Sequence, residues 1–369
     1  MANRTQRVKA FGQSLWLDNI HRRELRDGTI KRLIDEDGIS GITSNPTIFM
    51  KAVSSGSDYD EQIRTLSQAG NDARAIYYRI TLDDIREAGN LLKPVFEQTN
   101  GGDGFVSIEL NPQHAFDTEK SIAEAQQILP EIGLPNIMVK VPGTPQGAVA
   151  VRQLIAGGHN VNITLLFSPE HYRRVALAYI EGLEAREQQG KDLSNVHSVA
   201  SFFLSRIDTK VNKQLDALGS SEALSLRGST AIAVAKVTYT IFKELFFSPR
   251  FKRLQEKGAR IQRPLWASTG TKDPKYRDVK YVEALIGTYT VNTLPPETIT
   301  AFRDHGEAQP TLEQGIQDAP SILKSIEAAG FALESVYQEL QDEGVRAFEK
   351  SYLDLLRSIE EKAKSLLGK

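Results

Sequence analysis

Eight short apolar runs recur along the chain, most of them separated by segments of helical periodicity. They fall at residues 14–19, 38–43, 104–109, 136–141, 160–166, 196–203, 264–268 and, more weakly, 288–293. A continuous apolar run bounded by turn residues is the pattern of a buried parallel strand. Helices are expected over residues 22–35, 119–129, 146–155, 170–188, 206–217, 229–247 and 281–286. The long tract 59–97 is expected as three helices broken near Gly70 and Lys93-Pro94, since proline disfavours the α region in the residue before it. By the same rule Asn45, before Pro46, is expected to end the second strand with its amide projecting. From Pro320 onward the pattern is helical and finishes in a charged amphipathic stretch, 345–366. Strands alternating with helices pair in parallel through right-handed crossovers, and eight such units close a barrel. The expected architecture is α/β: a single (β/α)8 TIM-type barrel over residues 1–369, with 320–369 a helical extension packed on it. A doubly wound sheet is the alternative, but it would gather fewer of the strand ends into one crevice.

The carboxyl ends of these runs carry Asp18, Asn45, Glu109, Lys140, Asn162, Thr164, Ser201 and Ser268. In an eight-stranded α/β barrel that face holds the active site. Lys140 stands out, because Asn136-Ile137-Met138-Val139 leads into it and Pro142-Gly143 stops the strand. A buried, unpaired ammonium is costly, and a neutral lysine amine attacks carbonyls to form a Schiff base. The competing reading is an amine in solvent or paired with a carboxylate. Schiff-base chemistry also needs proton-transfer groups, for which Glu109 and Asp18 are the candidates, with Thr164 placed to hold a water between Glu109 and Lys140. Asn162 and Thr164 alternate with apolar neighbours and so share one face. Arg206 follows Ser201 by five residues and Lys272 follows Ser268 by four. Each pair offers a hydroxyl and a cation, the inventory for a phosphate monoester. Alternatively Arg206 pairs with Asp208 or another helix carboxylate.

Composition narrows the remaining choices. Hydrophobic residues make up 40% and charged residues 25%, the balance of a soluble globular chain. A formal net charge of -2 gives no reason to expect nucleic acid or an anionic membrane as partner. With no cysteine there are no disulfides, no thiolate zinc ligands and no thiol nucleophile. The six histidines are scattered, so no metal is expected. No glycine-rich dinucleotide or Walker fingerprint is present, and Leu226-Arg227-Gly228-Ser229-Thr230 reads as a helix cap. Neither an apolar leader nor an eighteen-residue apolar run occurs, which leads to the expectation of a cytoplasmic protein.

Three motifs then carry a resemblance. Gly41-Ile42-Thr43-Ser44-Asn45-Pro46-Thr47, Met138-Val139-Lys140-Val141-Pro142-Gly143-Thr144 and Asn160-Val161-Asn162-Ile163-Thr164-Leu165-Leu166-Phe167-Ser168 resemble transaldolase, in its longer bacterial form, from about Leu15 to His305. The resemblance implies a cofactor-free class I Schiff-base enzyme of the pentose phosphate pathway, a monomer or homodimer acting on small-molecule sugar phosphates. It would move a dihydroxyacetone unit from sedoheptulose 7-phosphate to glyceraldehyde 3-phosphate, giving erythrose 4-phosphate and fructose 6-phosphate. By motif, Lys140 would form the imine, Glu109 would act through a water held by Thr164, and Asp18 would handle the proton of the hydroxyl at the cleaved bond. Asn45, Asn162 and Ser201 would bind the dihydroxyacetone hydroxyls, and Arg206 and Ser268 the phosphate. Where many members carry an arginine shortly after the serine matching Ser268, this chain has Thr269-Gly270-Thr271-Lys272, and it lacks the proline common after Ser201. A small aldolase releasing free dihydroxyacetone would be much shorter and usually lacks the glutamate matching Glu109. A sugar-phosphate-binding barrel without turnover would not need the lysine, both acids and the threonine together.

Overall fold

The computed structural model describes residues 3–368. Eight parallel strands close into a barrel in chain order. They are β1 (Gln13–Leu17), β2 (Ile39–Thr43), β3 (Phe105–Glu109), β4 (Ile137–Pro142), β5 (Val161–Leu166), β6 (Ser198–Phe203), β7 (Arg263–Ala267) and β8 (Thr290–Leu294). Closure is direct: β8 pairs with β1, with Leu15 opposite Asn292 and Leu17 opposite Leu294. Each strand matches one of the eight apolar runs to within a few residues.

The helical layer departs from the sequence reading in several places, and the short helices Arg4–Ala10, Ser221–Ser225, Pro249–Gln255 and Pro296–His305 are not expected from the pattern. The helix expected over 22–35 is two, Arg22–Arg26 and Thr29–Asp37, because Gly28 adopts φ 84° and the chain turns there. Proline at 94 does not break its helix, which runs from Ala73 to Gln98. The tight seat beyond Pro94 explains this: the ring of Phe96 packs edge-on against Phe105 of β3, 5.4 Å between centroids. That packing outweighs one missing backbone hydrogen bond near a helix end. A helix not expected from the pattern, Pro46–Ser54, starts directly after β2. Asn45 is its N-cap, accepting from the Ile48 N–H at 3.0 Å, with proline in the first turn. Finally, the C-terminal region is two helices, Ala319–Ala328 and Leu333–Leu366, separated at Gly330 (φ 101°).

The amino-terminal end of the barrel is closed by a polar cluster around Asp103. Its carboxylate accepts from the Trp16 indole N–H (2.7 Å), from Ser40 (2.8 Å) and from Ser14, and Arg263 lies 3.5 Å away. Apart from Trp16, the fourth residue of β1, these groups sit at or just before the starts of β1, β2, β3 and β7, so the cluster serves stability rather than chemistry. It also pins the Trp16 ring against Gly41 of β2. A Cβ on residue 41 would fall 2.3 Å from the nearest ring atom. Gly41→Ala is therefore expected to destabilise the fold by about 1–3 kcal/mol through overpacking, read as a lower urea midpoint with the slope unchanged.

Candidate active site

At the opposite, carboxyl end of the strands lies a cavity of about 480 Å³. Seven of the ten residues singled out from the sequence line it: Asp18, Asn45, Lys140, Ser201, Arg206, Ser268 and Lys272. Glu109, Asn162 and Thr164 do not; they are buried in the barrel.

Strand register explains the inner group. Glu109 lies opposite Lys140, and Lys140 opposite Asn162, across β3, β4 and β5. Three neighbouring strands thus deliver three polar side chains at one level. The Lys140 Nζ stands 3.0 Å from Glu109 Oε2 and donates to the Ser44 carbonyl at 3.0 Å. Lys140 is only 4% exposed and Glu109 8%. Lys140 is therefore paired with a carboxylate, and its amine lies inside the barrel rather than in solvent. Asn162 is held from both sides, donating to Ser107 Oγ (2.9 Å) and accepting from Ser201 Oγ (2.7 Å). Thr164, two residues further along β5, keeps a buried hydroxyl with no hydrogen-bond partner among the described residues. A buried polar atom left unpaired is uncommon and calls for a reason.

Asp18 follows β1 and continues its ladder, donating its N–H to Leu294 O at 2.8 Å. Its carboxylate accepts from Thr43 Oγ1 at 2.8 Å, and Thr43 is in turn 2.7 Å from Thr293 Oγ1. Burial pushes the Asp18 carboxyl above its ordinary value, against the pull of the Lys140 charge and the Thr43 bond. Burial also raises Glu109, again opposed by Lys140. Both acids are thereby shifted toward accepting protons.

The outer group is cationic. Arg206 opens the helix Ser205–Leu218 and stacks over Phe203 at 5.4 Å. Among the described residues it makes no ion pair. Asp208, the partner allowed for it, is engaged by Tyr281 (2.8 Å), the Ala231 N–H (2.8 Å) and Lys280 (3.6 Å). Ser268 adopts φ 53°, a conformation rare for a non-glycine residue and met at functional sites. Its Oγ lies 2.8 Å from Ser205 Oγ, which ties the end of β7 to the Arg206 helix. Lys272, from the following loop, is exposed at the cavity edge.

Residues 15–359 match the family model described as Transaldolase/Fructose-6-phosphate aldolase. A Thiobacillus denitrificans protein named Transaldolase is 46% identical over 357 residues, covering 97% of this chain and 99% of its own. The chain belongs to this family. A Mycobacterium tuberculosis Transaldolase is 44% identical, covering 95% of this chain and 94% of its own, and one from Thermobifida fusca is 44% identical, covering 96% and 97%. Coverage of the transaldolases is thus almost end to end, including the C-terminal helices.

Sequence reading missed several lining residues: Thr43 and Thr293 beneath Asp18, Lys51 on the unexpected helix, and Phe348 from the last helix. Thr43 was within reach, because it ends the run 38–43 just as Glu109 ends its own. Phe348 had no local signal. No helix among the described residues is long and apolar enough to cross a membrane, and none of their His, Asp and Glu residues group in threes suited to a metal ion.

Because the folded state raises the Asp18 pKa, Asp18 favours folding below the ordinary carboxylate range, and this contribution is lost as pH rises through the raised value. At neutral pH the buried charge opposes folding. Asp18→Asn is expected to raise Tm at pH 7, with the gain shrinking toward about pH 4, where the wild-type carboxyl is also neutral. Thermal denaturation across that range checks the sign.

Proposed function

We propose that the chain is a transaldolase working through an imine on Lys140, which transfers dihydroxyacetone from sedoheptulose 7-phosphate to glyceraldehyde 3-phosphate. The observation that carries this reading is the buried Lys140–Glu109 pair at 3.0 Å, set at the floor of a cavity with a cationic rim. Passing its proton to Glu109 would leave Lys140 with a free lone pair, and burial, which raises Glu109, favours that transfer. The amine adds to the ketone carbon; Glu109 returns the proton to the carbinolamine hydroxyl, which leaves as water. The partnerless Thr164 hydroxyl is the group suited to hold that water beside Glu109. Asp18, raised by burial and steered by Thr43, takes the proton of the hydroxyl on the carbon across the scissile bond. That bond then breaks, the aldose leaves, and the electrons pass into the imine.

Substrate placement follows from what each side chain has left to offer. The Asn45 oxygen caps its helix, so the amide N–H groups are what remain for a hydroxyl. Ser201 and Asn162 act as one bonded unit beside Lys140. Arg206 is half-buried and without an ion-pair partner, and desolvation presses its pKa down; a phosphate would relieve that penalty. Ser268 adds a hydroxyl, and Lys272 a mobile point charge in place of a second arginine fork. We propose further that the enzyme acts in the non-oxidative pentose phosphate pathway in the cytoplasm.

Borohydride reduction in the presence of fructose 6-phosphate, followed by peptide mapping, is expected to place a reduced dihydroxyacetone adduct on the peptide containing Lys140. Folded protein that gives no adduct would reject the imine. For the rim, Arg206→Ala is expected to raise KM for fructose 6-phosphate by about 10- to 100-fold, the reach of a charge-assisted contact, with little change for unphosphorylated dihydroxyacetone. Equal effects on both substrates would remove Arg206 from phosphate binding.

A further inference from the structure

The imine on Lys140, if formed as proposed above, has two fates once the aldose leaves. In transfer, the electron-rich carbon attacks an incoming aldehyde and a C–C bond forms. In discharge, that carbon takes a proton, water adds across C=N, and the C–N bond breaks to free dihydroxyacetone and the lysine amine. A transferase must keep the second route slow while the cavity waits for its acceptor.

One side chain over Lys140 does not come from the barrel. The ring of Phe348, on the helix Leu333–Leu366, has its centroid 5.9 Å from Lys140 Nζ and lines the cavity. It is 5% exposed, so its other sides are packed. Its helix is fixed to the carboxyl ends of the strands by two devices on the same face. Gln341, fully buried, donates to Gly143 O (3.2 Å) and Leu165 O (3.0 Å), at the ends of β4 and β5. One turn before Phe348, Gly344 lets the helix settle on Leu165, where an added Cβ would meet a side-chain carbon at 2.8 Å. Flanking contacts hold the rest of the helix: Ser351 bonds Thr47 at 2.8 Å, and Lys210 pairs with Glu339 and Glu343 at 2.8 and 2.7 Å.

We propose that Phe348 is a specificity-determining residue that shields the Lys140 imine from water and so sets the ratio of transfer to discharge. An apolar ring held at this distance denies water a hydrogen-bonded position above C=N, and excluding water is how enzymes suppress hydrolysis of reactive intermediates. The ring face also favours the cationic iminium. Phe348 donates and accepts no proton, so its loss changes partitioning rather than imine formation.

The test compares two rates on fructose 6-phosphate: glyceraldehyde 3-phosphate release sustained beyond the first turnover without acceptor, which requires discharge, and sedoheptulose 7-phosphate formation with erythrose 4-phosphate. Phe348→Ala is expected to raise the discharge-to-transfer ratio by about tenfold or more, a change of ~1.4 kcal/mol in relative barriers. Phe348→Leu, which keeps most of the bulk and guards against loss of the fold, is expected to fall between. Borohydride trapping accompanies both variants. Adduct on Lys140 with a ratio within about twofold of wild type would overturn the role of Phe348 and leave the imine standing. Absence of adduct in the wild type would instead overturn the imine reading itself.

Discussion

A charged pair sealed inside a barrel is the constraint that the rest of this structure answers. Lys140 and Glu109 stand 3.0 Å apart on adjacent strands, both nearly without solvent contact. A buried ion pair of this kind contributes little net stability, because desolvation offsets most of the attraction. Its cost is tolerable only if the surroundings are rigid and the remaining polar groups are satisfied. The parallel register supplies the rigidity: each of the two side chains is fixed by the strand beside it, and Ser44, Asn162, Ser107 and Ser201 extend the polar layer around them. The opposite end of the barrel is closed by the Asp103 cluster, in which one carboxylate gathers Trp16, Ser40 and Arg263. Function and stability are thus separated along one axis.

The rim obeys a different logic. Arg206, Lys272 and Lys51 come from helices and loops, are partly or wholly exposed, and are placed by local devices such as the Ser205–Ser268 contact. Their geometry is less constrained than that of the inner layer.

Strand count and strand ends were legible in the sequence because a buried parallel strand writes itself as an unbroken apolar run, and a polar residue at its end has nowhere else to point. Lys140 and Glu109 were placed inside the barrel this way, and Asn162 and Thr164 by their alternation with apolar neighbours. What escaped had tertiary causes. Pro94 continues its helix because Phe96 is anchored on β3, a contact distant in sequence. Pro46, by contrast, was misread locally: Asn45-Pro46 opens a helix by the same capping rule that Ser168-Pro169 follows, and reading it only as a strand end hid both the helix and Lys51. Phe348 lies on an ordinary amphipathic helix, and only the closed barrel shows what its face covers. The pairing of Arg206 with Asp208 was a fair alternative that failed because Tyr281 and Lys280 reach Asp208 from another part of the chain.

The roof over Lys140 is contributed by a helix that leaves the ribosome after every strand of the barrel. All eight strands and both members of the buried pair precede it, and domains fold as synthesis proceeds. The barrel can therefore close around its lysine while the mouth still lacks Phe348 and the Gln341 clasp. During that interval the Lys140 amine would stand open to the cell's aldehydes and ketones. The order of elements along the chain thus places shielding after the barrel strands, and a ribosome stalled before residue 333 would present an uncovered site.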